Sequence, residues 1–117
     1  MAKLLKRKAT SYIAVIYTDT GREDLSDFDI MAMDRQRCVR GYGAHILVRR
    51  DGSVLDLNDL EVYGNVDVED TTVLDESIFV QVVSSPDTMT EEQVTTLERT
   101  LDSLEALYPD ASIVYLD

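Results

Sequence analysis

The side chains that most often carry chemistry are scarce in this sequence. His45 is the only histidine and Cys38 the only cysteine among 117 residues. A catalytic zinc site needs about three protein ligands, usually His, Cys or carboxylates, and carboxylates alone favour Mg²⁺ or Ca²⁺. No glycine-rich phosphate loop is present, and His45 would be the sole base for any Ser or Cys nucleophile. We therefore expect no metal and no cofactor, a hydrogen-bonded structural role for His45, and a small, half-buried apolar role for Cys38.

Acidic side chains, in contrast, are abundant and unevenly placed. The formal net charge is -12 and the pI about 4.3, with a net of +4 in residues 1–50 and of -16 in residues 51–117. This balance opposes direct binding to nucleic acid or to an anionic membrane. It allows either a solvated, solubilising surface or a face that imitates phosphate charge and binds a basic partner. The densest acidic residues are Asp56, Asp59, Glu61, Asp67, Glu69, Asp70, Asp75 and Glu76.

Hydrophobic patterning predicts the elements that must position these residues. The continuous apolar run from Tyr12 to Tyr17 is typical of a strand buried on both faces. Capping boxes beginning at Ser26 and Thr90 predict two helices, over 27–37 and from 91 to Pro109. The Asp51-Gly52 turn predicts a hairpin of strands 44–50 and 53–57. Further strands are predicted at 77–83 and 112–116, with an extended loop over 58–76 that has room for a short helical turn.

This order of elements predicts an α/β fold, with a mixed central β-sheet flanked by helices. The length fits one domain over 1–117, which begins with a basic arm over 1–10 that carries Lys3, Lys6, Arg7 and Lys8. We expect this arm to be frayed and solubilising. One cysteine leaves no internal disulfide, and the apolar run 12–17 is too short for a signal peptide or a membrane span. We expect a cytoplasmic protein.

Four segments carry a family resemblance. They are the strand 12–17 with Thr18-Asp19-Thr20, the stretch from Gly43 to Val54, the strand 77–82, and Thr90-Glu91-Glu92-Gln93. In this order and spacing they resemble the N-acetylmuramoyl-L-alanine amidase family of short phage lysozymes, whose fold peptidoglycan-recognition proteins share. The stretch from Gly43 looks like that family's Gly-Tyr-His-Phe strand running into an Arg-Asp-Gly-Thr-Val hairpin.

The resemblance also implies where a zinc site would lie, and there this chain departs from the family. The first ligand position is Ile16, or Tyr17 if the register slips by one, and the second is Leu116 or Asp117. The third would lie beyond residue 117. The tyrosine that assists catalysis in phage members is replaced by Ala44, while the histidine matching His45 is not a zinc ligand in the family. The resemblance thus implies an amidase scaffold without hydrolysis, whose former substrate groove is bordered by Ile16, Tyr42, Ala44, Tyr63 and Gly64; of these, Tyr42, Tyr63 and Gly64 could equally pack a loop.

Three functions follow as hypotheses. The first is a phage-encoded binding protein of the infected bacterium that inhibits or regulates a host or phage protein through its acidic surface, in anti-defence, anti-CRISPR or polymerase control. The partner would have a basic surface, such as one that normally holds nucleic acid. The second is a module that binds a peptidoglycan fragment or another small ligand without cleaving it. The third, an enzyme with a different site, is disfavoured by the single histidine.

Overall fold

The computed structural model describes residues 6–37, 39 and 41–116. Within them the chain forms eight elements: β1 (Tyr12–Tyr17), α1 (Asp27–Gln36), β2 (Ile46–Val48), β3 (Val54–Asp56), α2 (Thr71–Asp75), β4 (Ser77–Val82), α3 (Glu91–Leu107) and β5 (Ser112–Leu116). The five strands make one sheet in the order β3-β2-β4-β1-β5. β2, β4, β1 and β5 run parallel, and β3 pairs antiparallel with β2. The predicted mixed α/β sheet is confirmed.

Helix α3 covers one face of the sheet. Its residues Leu97, Leu101 and Leu104 are buried against inward-facing side chains of β1, β2 and β4. The helix begins at the predicted capping box, in which Gln93 N donates to Thr90 Oγ1 and Thr90 N to Gln93 Oε1, both at 3.0 Å. The Gln93 Nε2 also donates to the Val83 carbonyl at 2.9 Å. One fully buried glutamine therefore caps the helix and ties it to the end of β4.

The opposite face is covered by α1 and by the long segment between β3 and β4. Ile30 of α1 packs on Leu47 and Val83, and Val66 of the segment packs on Ala14 and Phe79. The predicted capping box at Ser26 is confirmed, and α1 begins at the next residue, Asp27, as predicted. A gap between these two coverings remains open at one end of the sheet.

The hairpin strands are shorter than predicted, three residues each instead of seven and five. At one end the Leu57 and Asn58 N–H groups both donate to the His45 carbonyl, at 2.8 and 3.2 Å, which interrupts the regular ladder. At the other end Gly52 (φ +85°) closes the turn by donating to the Arg49 carbonyl. The segment 58–76, predicted to be mostly loop, does contain a short helix, α2, capped by Asp70.

The basic arm is not loose where it is described. Lys6 forms a β-bridge with Val62, and the buried Arg7 donates from Nη1 to the Val62 carbonyl at 2.7 Å. The expectation of a frayed arm is therefore wrong for these two residues, because the guanidinium satisfies a buried carbonyl. Residues 1–5 of the arm, with Lys3, lie outside the described residues, as do Cys38, Arg40 and Asp117. In the part of the chain that is described, no helix has the length and apolar character needed to cross a membrane.

Candidate functional site: a groove at the carboxyl ends of the parallel strands

An open groove of about 730 Å³ lies where β1, β4 and β5 end. The carboxyl ends of parallel strands are the usual ligand-binding edge of an α/β sheet, and the volume is in the range of small-ligand sites. The end of α1 forms one wall and residues 66–69 form the other. The lining residues are Ile16, Tyr17, Thr18, Asp19, Met33, Asp34, Gln36, Arg37, Val66, Asp67, Val68, Glu69, Gln81, Tyr115 and Leu116.

The floor of the groove is a row of side chains set by the strand register. Gln81 of β4 pairs with Ile16 of β1, and Ile16 pairs with Leu116 of β5. The two positions that the family resemblance assigns to zinc ligands are thus direct neighbours, and both carry hydrocarbon side chains. Of the two alternative positions, Tyr17 also lines the groove, and Asp117 lies outside the described residues.

The α1 wall is held by one buried carboxylate. Asp34 accepts from Arg37 Nη2 at 2.9 Å through Oδ1 and from the Gly43 N–H at 3.0 Å through Oδ2. The same Arg37 nitrogen donates to the Asn65 carbonyl at 3.0 Å. Both oxygens of Asp34 are therefore engaged in positioning the wall. The sequence interpretation missed Asp34, Arg37 and Met33 as groove residues, since nothing local marks a wall built from the last turn of a helix.

Only Ile16 of the five predicted groove residues lines this groove. Ala44 is buried beneath it in the cluster of Ala14, Val66 and Phe79. Tyr42 packs instead beside Ile30, Leu47 and Val83, where burial, assisted by Asp27, raises the pKa of its phenol.

Gly64 and Tyr63 belong to the loop that crosses the sheet. Gly64 lies against the ring of Phe79, where an added Cβ would come within 2.5 Å of the ring, and Tyr63 is half-buried. Gly64, like Tyr42, therefore packs against the core, which is the alternative that the sequence left open for them.

His45 is a buried structural residue, as predicted. Its side chain is fully inaccessible, its Nδ1 accepts from the Phe79 N–H at 2.9 Å, and its Nε2 lies 2.8 Å from the Val62 carbonyl. An acceptor at Nδ1 places the proton of the neutral ring on Nε2, which then donates to Val62. Burial lowers the pKa of His45, and the hydrogen bond to Val62 opposes that shift. With both nitrogens occupied, the ring cannot serve the groove as a base.

The eight predicted acidic residues do not share one environment. Asp67 and Glu69 line the groove, whereas Glu61 lies at a separate recess with Arg7 and Tyr108. Asp70 caps α2, and Glu76 accepts from Ser11 Oγ at 2.6 Å. Asp56, Asp59 and Asp75 are exposed.

Ion pairs and metal-ligand clusters are rare among the described residues. The pair formed by Arg37 and Asp34 is the one salt bridge found there. Across residues 6–37, 39 and 41–116, no three His, Cys, Asp or Glu side chains lie close enough together to hold a metal ion.

The comparisons with known proteins agree with this architecture. No protein-family model and no curated protein sequence matches the chain. Among solved structures, the Ph2119 endolysin from the Thermus scotoductus MAT2119 bacteriophage Ph2119 superposes with a TM-score of 0.79 at 19% identity, covering 96% of this chain and 75% of that one. The N-acetylmuramoyl-L-alanine amidase LysC from Clostridium intestinale URNW gives 0.71 at 17% identity, covering 96% and 78%. Drosophila peptidoglycan recognition protein SD gives 0.73 at 12% identity, covering 97% and 74%. The chain thus has the fold shared by N-acetylmuramoyl-L-alanine amidases and peptidoglycan recognition proteins, as the resemblance in its sequence implies.

Proposed function

We propose that this protein binds an N-acetylmuramoyl-peptide fragment of peptidoglycan in the groove and does not hydrolyse it. The observation that carries the proposal is the groove itself, which lies at the ligand-binding edge of a sheet whose structural neighbours include endolysins and peptidoglycan recognition proteins. Its floor combines aliphatic side chains with Gln81, and its walls combine apolar with charged side chains, which suits a ligand that presents both methyl groups and amides.

The non-hydrolytic part of the proposal rests on the side chains present. In this fold family zinc would activate water, and it needs about three ligand atoms with lone pairs. Ile16 and Leu116 offer hydrocarbon at the two implied positions. Asp34 is fully engaged, and His45 is buried away from solvent with both nitrogens hydrogen-bonded. The residues described here do not fit a zinc ion, and we derive no catalytic step through one.

Filling the groove is expected to abolish binding while leaving the fold intact. Val68 is half-buried on the 66–69 wall, so Val68→Trp places an indole in the ligand's space. We expect at least a tenfold loss of affinity for a soluble N-acetylmuramoyl peptide, measured by titration calorimetry, and loss of co-sedimentation with purified cell walls.

The matched control is Val94→Trp, because Val94 is 42% exposed on α3, a helix that covers the other face of the sheet. It should bind as the parent protein does. Absence of any binding by the parent protein would refute the proposal. Release of free amine from the peptide, above that of a heat-denatured sample with and without added Zn²⁺, would refute its non-hydrolytic part.

A second candidate function is binding of a basic protein partner through the acidic residues. It is favoured by the scarcity of ion pairs: among the described residues, the exposed carboxylates of Asp56, Asp59, Asp67, Glu69 and Asp75 have no Lys or Arg nitrogen within salt-bridge distance. A protein of net charge -12 with such exposed carboxylates would attract a cationic surface over a Debye length of about 10 Å at about 0.1 M ionic strength, and over a longer distance at lower salt.

Charge reversal tests this candidate. We expect a captured partner to be lost from Asp67→Lys/Glu69→Lys and retained by Glu98→Lys/Asp102→Lys, which changes the net charge equally on α3. Capture from bacterial lysate should weaken steeply from low to high salt, because screening acts on exposed charges. Partner capture that is insensitive to salt and to both variants would argue against an electrostatic surface.

A further inference from the structure

One side chain on the groove floor breaks an apolar pattern. Across the sheet, Leu47, Gln81, Ile16 and Leu116 stand side by side in register. Three of the four are aliphatic, and Leu47 is fully buried. Gln81 therefore places a carboxamide where packing alone favours another aliphatic residue.

The carboxamide of Gln81 has no hydrogen-bond partner among residues 6–37, 39 and 41–116, although the side chain lines the groove and is half-buried. The other glutamine in the core differs sharply. Gln93 is fully buried, and its oxygen and nitrogen bond to Thr90 and Val83. The hydrogen bonds of Gln93 show that it has a structural role. No hydrogen bond within the described residues gives the carboxamide of Gln81 such a role.

A free carboxamide in such a place selects the ligand that covers it. Covering it with hydrocarbon would strip its water and leave a donor and an acceptor unpaired, which is costly. A ligand group that both accepts and donates replaces that water without loss. An extended peptide segment does so, because the N–H and C=O of one of its residues point to the same side and can bond to the oxygen and the nitrogen of the glutamine at once.

We propose that Gln81 is the specificity-determining residue of the groove and hydrogen-bonds to amide groups of the bound ligand, either in its peptide backbone or in an N-acetyl group. This inference rests on the proposed function and specifies its contact. Ile16 and Leu116, which flank the amide-binding position on one side, contact the ligand's methyl or side-chain carbons. The groove then favours acylated, uncharged ligand segments over free amines at this position.

The test separates this role from a structural one. Gln81→Leu completes the aliphatic row, so its urea midpoint should equal or exceed that of the parent protein, while its affinity for an N-acetylmuramoyl peptide falls at least tenfold. Gln81→Met, of similar length, should behave in the same way. Thr95→Leu is the control, because it also replaces a polar residue by leucine but at an exposed position of α3, away from the groove, and it should keep affinity within about twofold.

Each outcome decides between the two proposals. If the parent protein binds and both Gln81 variants bind equally well, the specificity role is overturned while groove binding stands. A clear drop in the urea midpoint of both Gln81 variants would show a structural role and also overturn it. If the parent protein binds no muropeptide, the proposed function fails, and this inference fails with it.

Discussion

Gly43→Ala is expected to lower the free energy of unfolding by roughly 3 kcal/mol, because the new methyl group has no space. A Cβ at Gly43 would overlap the Asn65 carbonyl oxygen and lie 2.9 Å from its carbonyl carbon. Both are backbone atoms, so no side-chain rotation relieves the overlap. The segment would have to shift, weakening the bonds from Asn65 N to Gly43 O (2.8 Å) and from Gly43 N to Asp34 Oδ2 (3.0 Å). Urea denaturation followed by circular dichroism measures the loss.

Gly41→Ala provides the control for this prediction. Gly41 has φ +74° and no atom within 4 Å of a Cβ added there. The substitution should therefore lower the free energy of unfolding by only about 1 kcal/mol, the cost of holding alanine in the left-handed backbone region. A Gly43 variant no less stable than the Gly41 variant would mean that the close approach of Gly43 and Asn65 is not rigid. Because Asn65 directly precedes the 66–69 wall, the Gly43 variant should also bind groove ligands more weakly.

The elements of this fold could be predicted from the sequence where their signals are local. The run of apolar residues at 12–17 and the capping boxes at Ser26 and Thr90 each define an element by its own residues, and each prediction is confirmed. The first and last residues of the hairpin strands could not be predicted from such local signals. Where their ladder ends depends on the His45 carbonyl receiving two N–H groups, which is a contact between strand and loop.

The groove was less predictable than the fold. Ile16 was identified because the resemblance marks its position in β1, and the register of β1 with β5 brings Leu116 beside it. Tyr42 and Ala44 precede β2 in the sequence, and both pack into core clusters and do not line the groove. The one local signal that was overlooked is Gln81, a polar residue inside the apolar run 78–83. That signal marks an unusual residue but not its location. Gln81 lies on the groove floor because β4 pairs in parallel with β1, which is more than sixty positions away in the sequence.

A second large effect is expected from His45, as a dependence of stability on pH. Burial lowers the pKa of His45 in the folded protein, whereas the unfolded chain has the ordinary value of about 6.5. The unfolded state therefore binds the proton first as the pH falls. The stability contributed by the neutral ring is complete above about pH 6.5 and is lost between that value and the lower folded pKa, with a slope of up to about 1.4 kcal/mol per pH unit.

His45→Asn isolates this contribution. The asparagine oxygen can still accept from the Phe79 N–H, but the side chain neither reaches the Val62 carbonyl nor titrates. We expect the variant to be about 1–3 kcal/mol less stable than the parent protein at pH 8, with a difference that shrinks as urea denaturations are repeated at pH 7, 6 and 5. The many carboxylates are common to both proteins, so their titration cancels in the difference. A difference that stays constant over this range would mean that His45 has the same pKa in the folded and unfolded states. That result would contradict the expectation that burial between β4 and the Val62 loop lowers its pKa.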